Sequence, residues 1–127
     1  MGYESKIYVL ERIERKDDLT DERDIYSLRI AEFDLCKLGY SKEAQNVYDA
    51  FKTEVDFPVF YDINNDGVYE DCYGEICKYS HIPELLEALR AMERAEHYRR
   101  LPPIIKFLEG INEKEWEHEI VCVHYGY

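Results

Sequence analysis

The chain predicts a single α+β domain, with helices packed on a mainly antiparallel sheet. Three features carry that expectation. Apolar and polar residues alternate near both ends of the chain, the period-two pattern of strands. Two stretches, starting near Ser41 and Pro83, place apolar residues at helical spacing. Between them Asn64-Asn65-Asp66-Gly67 separates two β-prone runs, a strong hairpin signal because Asn, Asp and Gly tolerate positive φ. At 127 residues and 46% hydrophobic, one domain with a real core is the simplest organisation.

Lys6–Glu14 alternates as a strand, with Ile7, Val9 and Glu11 on one side and Tyr8, Leu10 and Arg12 on the other. Lys16–Asp24 is a charged turn. Ile25–Cys36 reads as a second strand through Tyr26, Leu28 and Ile30, although Ile30, Phe33 and Leu38 also fit a helical stripe. Gly39 ends that element. Ser41 is a suitable N-cap for a helix over Lys42–Val55, whose stripe is Ala44, Val47, Phe51 and Val55. Pro58 forbids its continuation. Phe57–Ile63 and Val68–Ile76 are the arms of the hairpin. Pro83 suits the first turn of a helix running to about Arg100, with Leu85, Leu86, Leu89, Met92 and Ala95 inward and Glu96 and Arg100 as an i,i+4 pair. Pro102-Pro103 breaks it, and a short helix follows to Leu108 with Gly110 beyond its end. Glu117–Tyr125 is the last strand. The order is ββαββααβ, with no repeat, linker or low-complexity segment.

The formal net charge is −12 and the pI near 4.7. That balance disfavours a nucleic-acid-binding module, which carries a basic stripe, and docking on an anionic membrane. The charge is uneven. Residues 81–110 are neutral, whereas the stretch between Lys52 and Lys78 holds seven carboxylates (Glu54, Asp56, Asp62, Asp66, Glu70, Asp71 and Glu75) and no Lys or Arg. Phe57, Phe60, Tyr61, Tyr69 and Tyr73 lie among them. Such a field attracts cations and basic proteins. Four Cys, no apolar leader core in Met1–Lys16 and no apolar run of spanning length give the expectation of a soluble cytoplasmic protein with reduced thiols.

Asp62-Ile63-Asn64-Asn65-Asp66-Gly67 resembles the first half of an EF-hand or dockerin calcium loop, D-x-N-x-D-G. The position that should supply a bidentate acid is Tyr73, and the preceding segment is β-prone, so a plain hairpin turn is the stronger reading. Cys72, Cys77, Cys122 and His124 could in principle make a tetrahedral zinc site, but the odd spacing of Cys72 and Cys77 puts them on opposite sides of a strand unless a turn at Gly74 intervenes. No nucleophile elbow, P-loop, zinc-protease helix or dinucleotide turn is present. A Cys–His pair drawn from Cys36 or Cys122 with His81, His97, His118 or His124 is not singled out by any pattern. Arg90, Arg94, Arg99 and Arg100 alternate with Glu87, Glu93 and Glu96 and read as an ion-paired helix face. Glu113, Glu115, Glu117 and Glu119 recur every second residue. If extended, they line one face at ~6.6–7 Å intervals and imitate a phosphate backbone; as a polar turn they do not.

In size, acidity and lack of catalytic motif the chain resembles the small anti-restriction and anti-CRISPR proteins of phages and plasmids. The resemblance is one of composition. It implies a non-enzymatic inhibitor of a nucleic-acid-handling protein, bound through a basic surface. The expected contact residues are Asp56, Asp62, Asp66, Tyr69, Glu70, Asp71, Tyr73 and Glu75, with Glu113, Glu115, Glu117 and Glu119 as a second set. No cofactor or metal and no direct contact with nucleic acid are expected. A homodimer through strand edges is compatible with the sequence. An immunity protein against a basic toxin would use the same charge, whereas a small enzyme or nucleotide-signal-binding domain would need a deep pocket away from the acidic face.

Overall fold

The computed structural model describes residues 5–16, 18–20, 23–35, 41–95 and 99–126, with Arg23 in backbone only. The expectations placed on Cys36, Leu38, Gly39, Glu96 and His97 lie outside these residues. The architecture is α+β, as the alternation and the helical stripes predict. Seven strands are β1 (Ser5–Lys16), β2 (Arg23–Asp34), β3 (Thr53–Glu54), β4 (Phe60–Tyr61), β5 (Gly67–Val68), β6 (Lys78–His81) and β7 (Glu119–Gly126); three helices are α1 (Lys42–Asp49), α2 (Ile82–Ala95) and α3 (Leu101–Glu113). The main sheet has the order β2-β1-β7-β6-β3, with every neighbouring pair antiparallel. β4 and β5 form a separate two-stranded sheet. No helix among the described residues is long and apolar enough to cross a membrane.

The central strands are buried on both faces along residues 7–10 of β1 and 121–123 of β7, where short continuous apolar runs interrupt the alternation. Ile7, Val9 and Cys122 face the helices and join Ala44, Val47, Leu85, Leu89, Met92, Leu101 and Leu108 in one core. Tyr8, Leu10, Val121, Val123 and Tyr125 face the other way, onto Val55, Phe57, Val59 and Cys77. The second core is covered by residues 51–77, the acidic stretch itself, hereafter the arm. The molecule therefore has three layers: helices, sheet and arm.

Four elements differ from expectation. α1 stops at Asp49, not Val55, because Phe51 belongs to the helix-side core and Val55 to the core on the opposite face. The chain crosses the edge of the sheet between them, pairing Thr53 and Glu54 with β6. The hairpin strands are two residues each, because a second turn, Asp71–Glu75, folds the returning chain back at the Glu70–Ile76 bridge. The third leg then enters the main sheet as β6. α3 runs through Gly110 to Glu113, so Gly110 is inside the helix and Pro102-Pro103 lies in its first turn, where a missing N–H costs nothing. Finally, β2 carries a bulge at Ile30, where the pairing steps from Val9↔Ala31 to Leu10↔Arg29.

Candidate functional site: the acidic arm

The arm is fastened to the sheet by polar contacts as well as by its core. Arg12 on β1 makes a two-pronged hydrogen bond to Asp56, Nε to Oδ1 at 3.0 Å and Nη2 to Oδ2 at 2.7 Å. Its guanidinium also lies 5.9 Å from the centre of the Phe57 ring and 3.6 Å from Glu119. Hydrogen bonding by Arg12 holds the Asp56 carboxyl below its ordinary value against the opposing effect of burial. The Ser27 hydroxyl donates to the Pro58 carbonyl, and the Tyr61 hydroxyl accepts the Ser27 N–H at 3.4 Å. Phe60 packs with Tyr8 and Tyr125 at centroid distances of 6.0 and 5.7 Å.

Two turns of one design then shape the outer surface. Asp62 Oδ1 accepts from the N–H groups of Asn64 and Asp66, both at 2.9 Å. Asp71 Oδ1 accepts from those of Tyr73 at 2.8 Å and Glu75 at 3.0 Å. The fourth residue of each turn takes the left-handed conformation, Asn65 at φ 64° and Gly74 at φ 81°, as the turn requires. The first turn was legible from Asn64-Asn65-Asp66-Gly67. The second carries a comparable signal, an Asp followed three residues later by Gly; the turn at Gly74 weighed for the cysteines is present and interrupts the strand expected over 68–76. Gly67 serves a different need: a Cβ there would stand 2.8 Å from the Cβ of Pro58.

The expected contact residues thus separate into two groups. Asp56, Asp62 and Asp71 hold the arm together. Asp66, Glu70 and Glu75, together with Glu54, are exposed, and their carboxylates have no hydrogen-bond or ion-pair partner among the described residues. Tyr69 and Tyr73 are exposed beside them. The second set does not form the extended row. Glu113 ends α3 and Glu119 opens β7, where it bonds His81 and approaches Arg12. Between them the Trp116 indole donates back to the Ile111 carbonyl at 3.0 Å, turning the chain. Glu119 and the Asp71–Glu75 turn lie at opposite ends of β7, on the order of 20 Å apart at strand spacing.

A shallow cleft of about 520 Å³ opens between the arm and α1, lined by Tyr48, Asp49, Lys52, Asp71, Tyr73, Glu75, Lys78 and His124 among others. His124 hydrogen-bonds Ser5 Oγ at 3.1 Å and packs at a tilt against Tyr48 and Phe51, with ring centroids 5.3 and 5.4 Å away. Burial pushes its pKa down to about 4 despite the pull of Asp71.

The sheet itself divides the possible zinc donors. Cys122 lies in the helix-side core, Cys77 in the arm-side core, and Cys72 is exposed. Asp62, the first residue of the calcium-like motif, spends one oxygen on its own turn. No cluster of three or more His, Cys, Asp or Glu suited to a metal occurs among the described residues. Burial raises both Cys77 and Cys122 to about 12, so neither offers a thiolate nucleophile near neutral pH. No family model, curated protein or solved structure matches the chain.

Proposed function

We propose that the chain is a non-enzymatic inhibitor that lays its acidic arm on a basic surface of a nucleic-acid-handling protein, a nuclease being the partner class favoured by the composition. The observation that carries the reading is the set of exposed, unpaired carboxylates Asp66, Glu70 and Glu75 on an arm without a basic residue between Lys52 and Lys78. The arm's other acids and its core hold this surface in one shape, which lowers the ordering cost of docking. The cleft beside His124 is open and shares Asp71, Tyr73 and Glu75 with the arm, so it supports an extension of the same contact. Glu113 and Glu115 are a secondary contact at a separate place. An immunity protein against a basic toxin would present the same chemistry, and the identity of the partner separates the two.

The test is a pull-down from bacterial lysate at low and high salt, with captured proteins identified by mass spectrometry. It compares the native chain with the combined variant Asp66→Asn, Glu70→Gln, Glu75→Gln. These positions are chosen because Asp62 and Asp71 build turns and cannot be neutralised cleanly. The expected result is a nuclease or nuclease-containing complex, held at low salt and lost both at high salt and with the variant. Equal capture by the variant, with the same salt dependence, refutes the reading.

A further inference from the structure

The large apolar and aromatic side chains left exposed are not scattered over the molecule. Among the described residues they are Leu19, Leu28, Tyr61, Ile63, Tyr69, Tyr73 and Ile76, so five of the seven belong to the arm and none to a helix. Single exposed apolar residues are ordinary on a protein surface, but their concentration on one segment sets the arm apart from the rest of the described surface. Ile63 is the extreme case, fully exposed at 100%. It sits between Asp62 and Asn64, at a turn position that accepts almost any polar residue. The turn displaying it is fixed by four hydrogen bonds: the two accepted by Asp62 Oδ1, Asp62 N–H to the Asp66 carbonyl, and Asn65 N–H to the Asp62 carbonyl. Asp66 belongs to the same turn, and Glu70 and Glu75 follow further along an arm that holds no Lys or Arg between Lys52 and Lys78.

We infer that the arm is an anchored protein–protein contact, in which Ile63 enters an apolar pocket that the partner rings with Lys or Arg. This rests on the partner class proposed above and specifies its surface. A groove that reads only phosphate charge gains nothing from an isoleucine, whereas an apolar anchor inside a charged rim is the usual anatomy of a protein interface. Pure nucleic-acid mimicry is thereby disfavoured. Tyr69 and Tyr73, exposed further along the arm, would add amphipathic contacts, with rings buried on docking and hydroxyls at the wet margin.

The experiment uses the partner identified by the pull-down and measures its affinity by calorimetry, at two salt concentrations, for the native chain, Ile63→Ser and the triple carboxylate variant. Ile63 packs against nothing, so Ile63→Ser should retain the native circular dichroism and thermal midpoint. Full burial of an isoleucine corresponds to an affinity change on the order of ten- to a hundredfold. Ile63→Ser should weaken binding by that factor at both salt concentrations and leave the salt slope unchanged, while the triple variant should flatten the slope. Binding of Ile63→Ser within about twofold of native, with the triple variant still impaired, overturns the anchor and leaves the acidic contact standing. A triple variant indistinguishable from native, or no specific capture in the first place, overturns both.

Discussion

Carboxylates in the arm look alike in sequence and act differently in place. Asp56 is a salt-bridge partner, Asp62 and Asp71 are turn builders, and Asp66, Glu70 and Glu75 are free to meet another molecule. Sequence located the concentration of acid but not this division, because it depends on which backbone N–H or guanidinium happens to lie within reach. Histidine shows the same limit. His124 is one of four, and burial drives its pKa down to about 4, which no pattern in the sequence records. A depressed histidine pKa means that the unfolded chain takes up a proton before the folded one does. Stability from this residue is therefore unchanged above pH ~6.5 and falls as the pH drops toward the folded value. Between pH 7.5 and pH 5 the loss is about 2 kcal/mol by linkage. Replacing His124 with Phe, which keeps a ring between Tyr48 and Phe51, should remove that part of the loss. Urea midpoints at the two pH values check it; an unchanged pH dependence would mean that His124 is not held neutral.

Elements were legible where one surface decided them. The stripe of α2 faces one core, and the two sides of β1 and of β7 each face one, so period and burial agree. Expectation failed where a segment changes layers. Ala44, Val47, Phe51 and Val55 fit one helical face, but the last of them belongs to the other side of the sheet, and no periodicity records that crossing. Gly110 failed for another reason. Glycine after an apolar run reads as a helix end, yet α3 continues because Ile111 still packs against the helix-side core. A Cβ added at Gly110 meets nothing within 4 Å. Gly110→Ala should therefore stabilise the protein by about 0.5–1 kcal/mol through reduced backbone freedom in the unfolded chain. The denaturant midpoint reports it, and a lower midpoint would show that α3 does not pass through this position as a regular helix.

At the scale of the whole molecule, two cores share one sheet and are secured differently. The helix-side core joins three helices to β1, β2 and β7, while the arm-side core is closed by a single excursion of the chain with little regular structure. Arg12 is the main polar tie between that excursion and the sheet, since it binds Asp56, reaches toward Glu119 and covers Phe57. Nothing in the sequence singles it out: Arg12 reads as one more charged residue alternating along a strand, and its partner is 44 residues away. Arg12→Ala leaves Asp56 and Glu119 close together without the cation and uncovers an aromatic ring. Such a partly exposed pair with packing is worth about 1–2 kcal/mol. The loss should fall on the arm before it falls on the rest of the fold, because the helices keep their own core. Hydrogen exchange resolves the two. In Arg12→Ala the amides of Val59 and Cys77, which bond the carbonyls of Val68 and Tyr69, should exchange roughly tenfold faster for each 1.4 kcal/mol lost, while those of β1 and β7 at their shared ladder hold native protection. Equal acceleration in both places would mean that the arm and the helix layer open as one unit, and that docking through the arm would be felt across the whole protein.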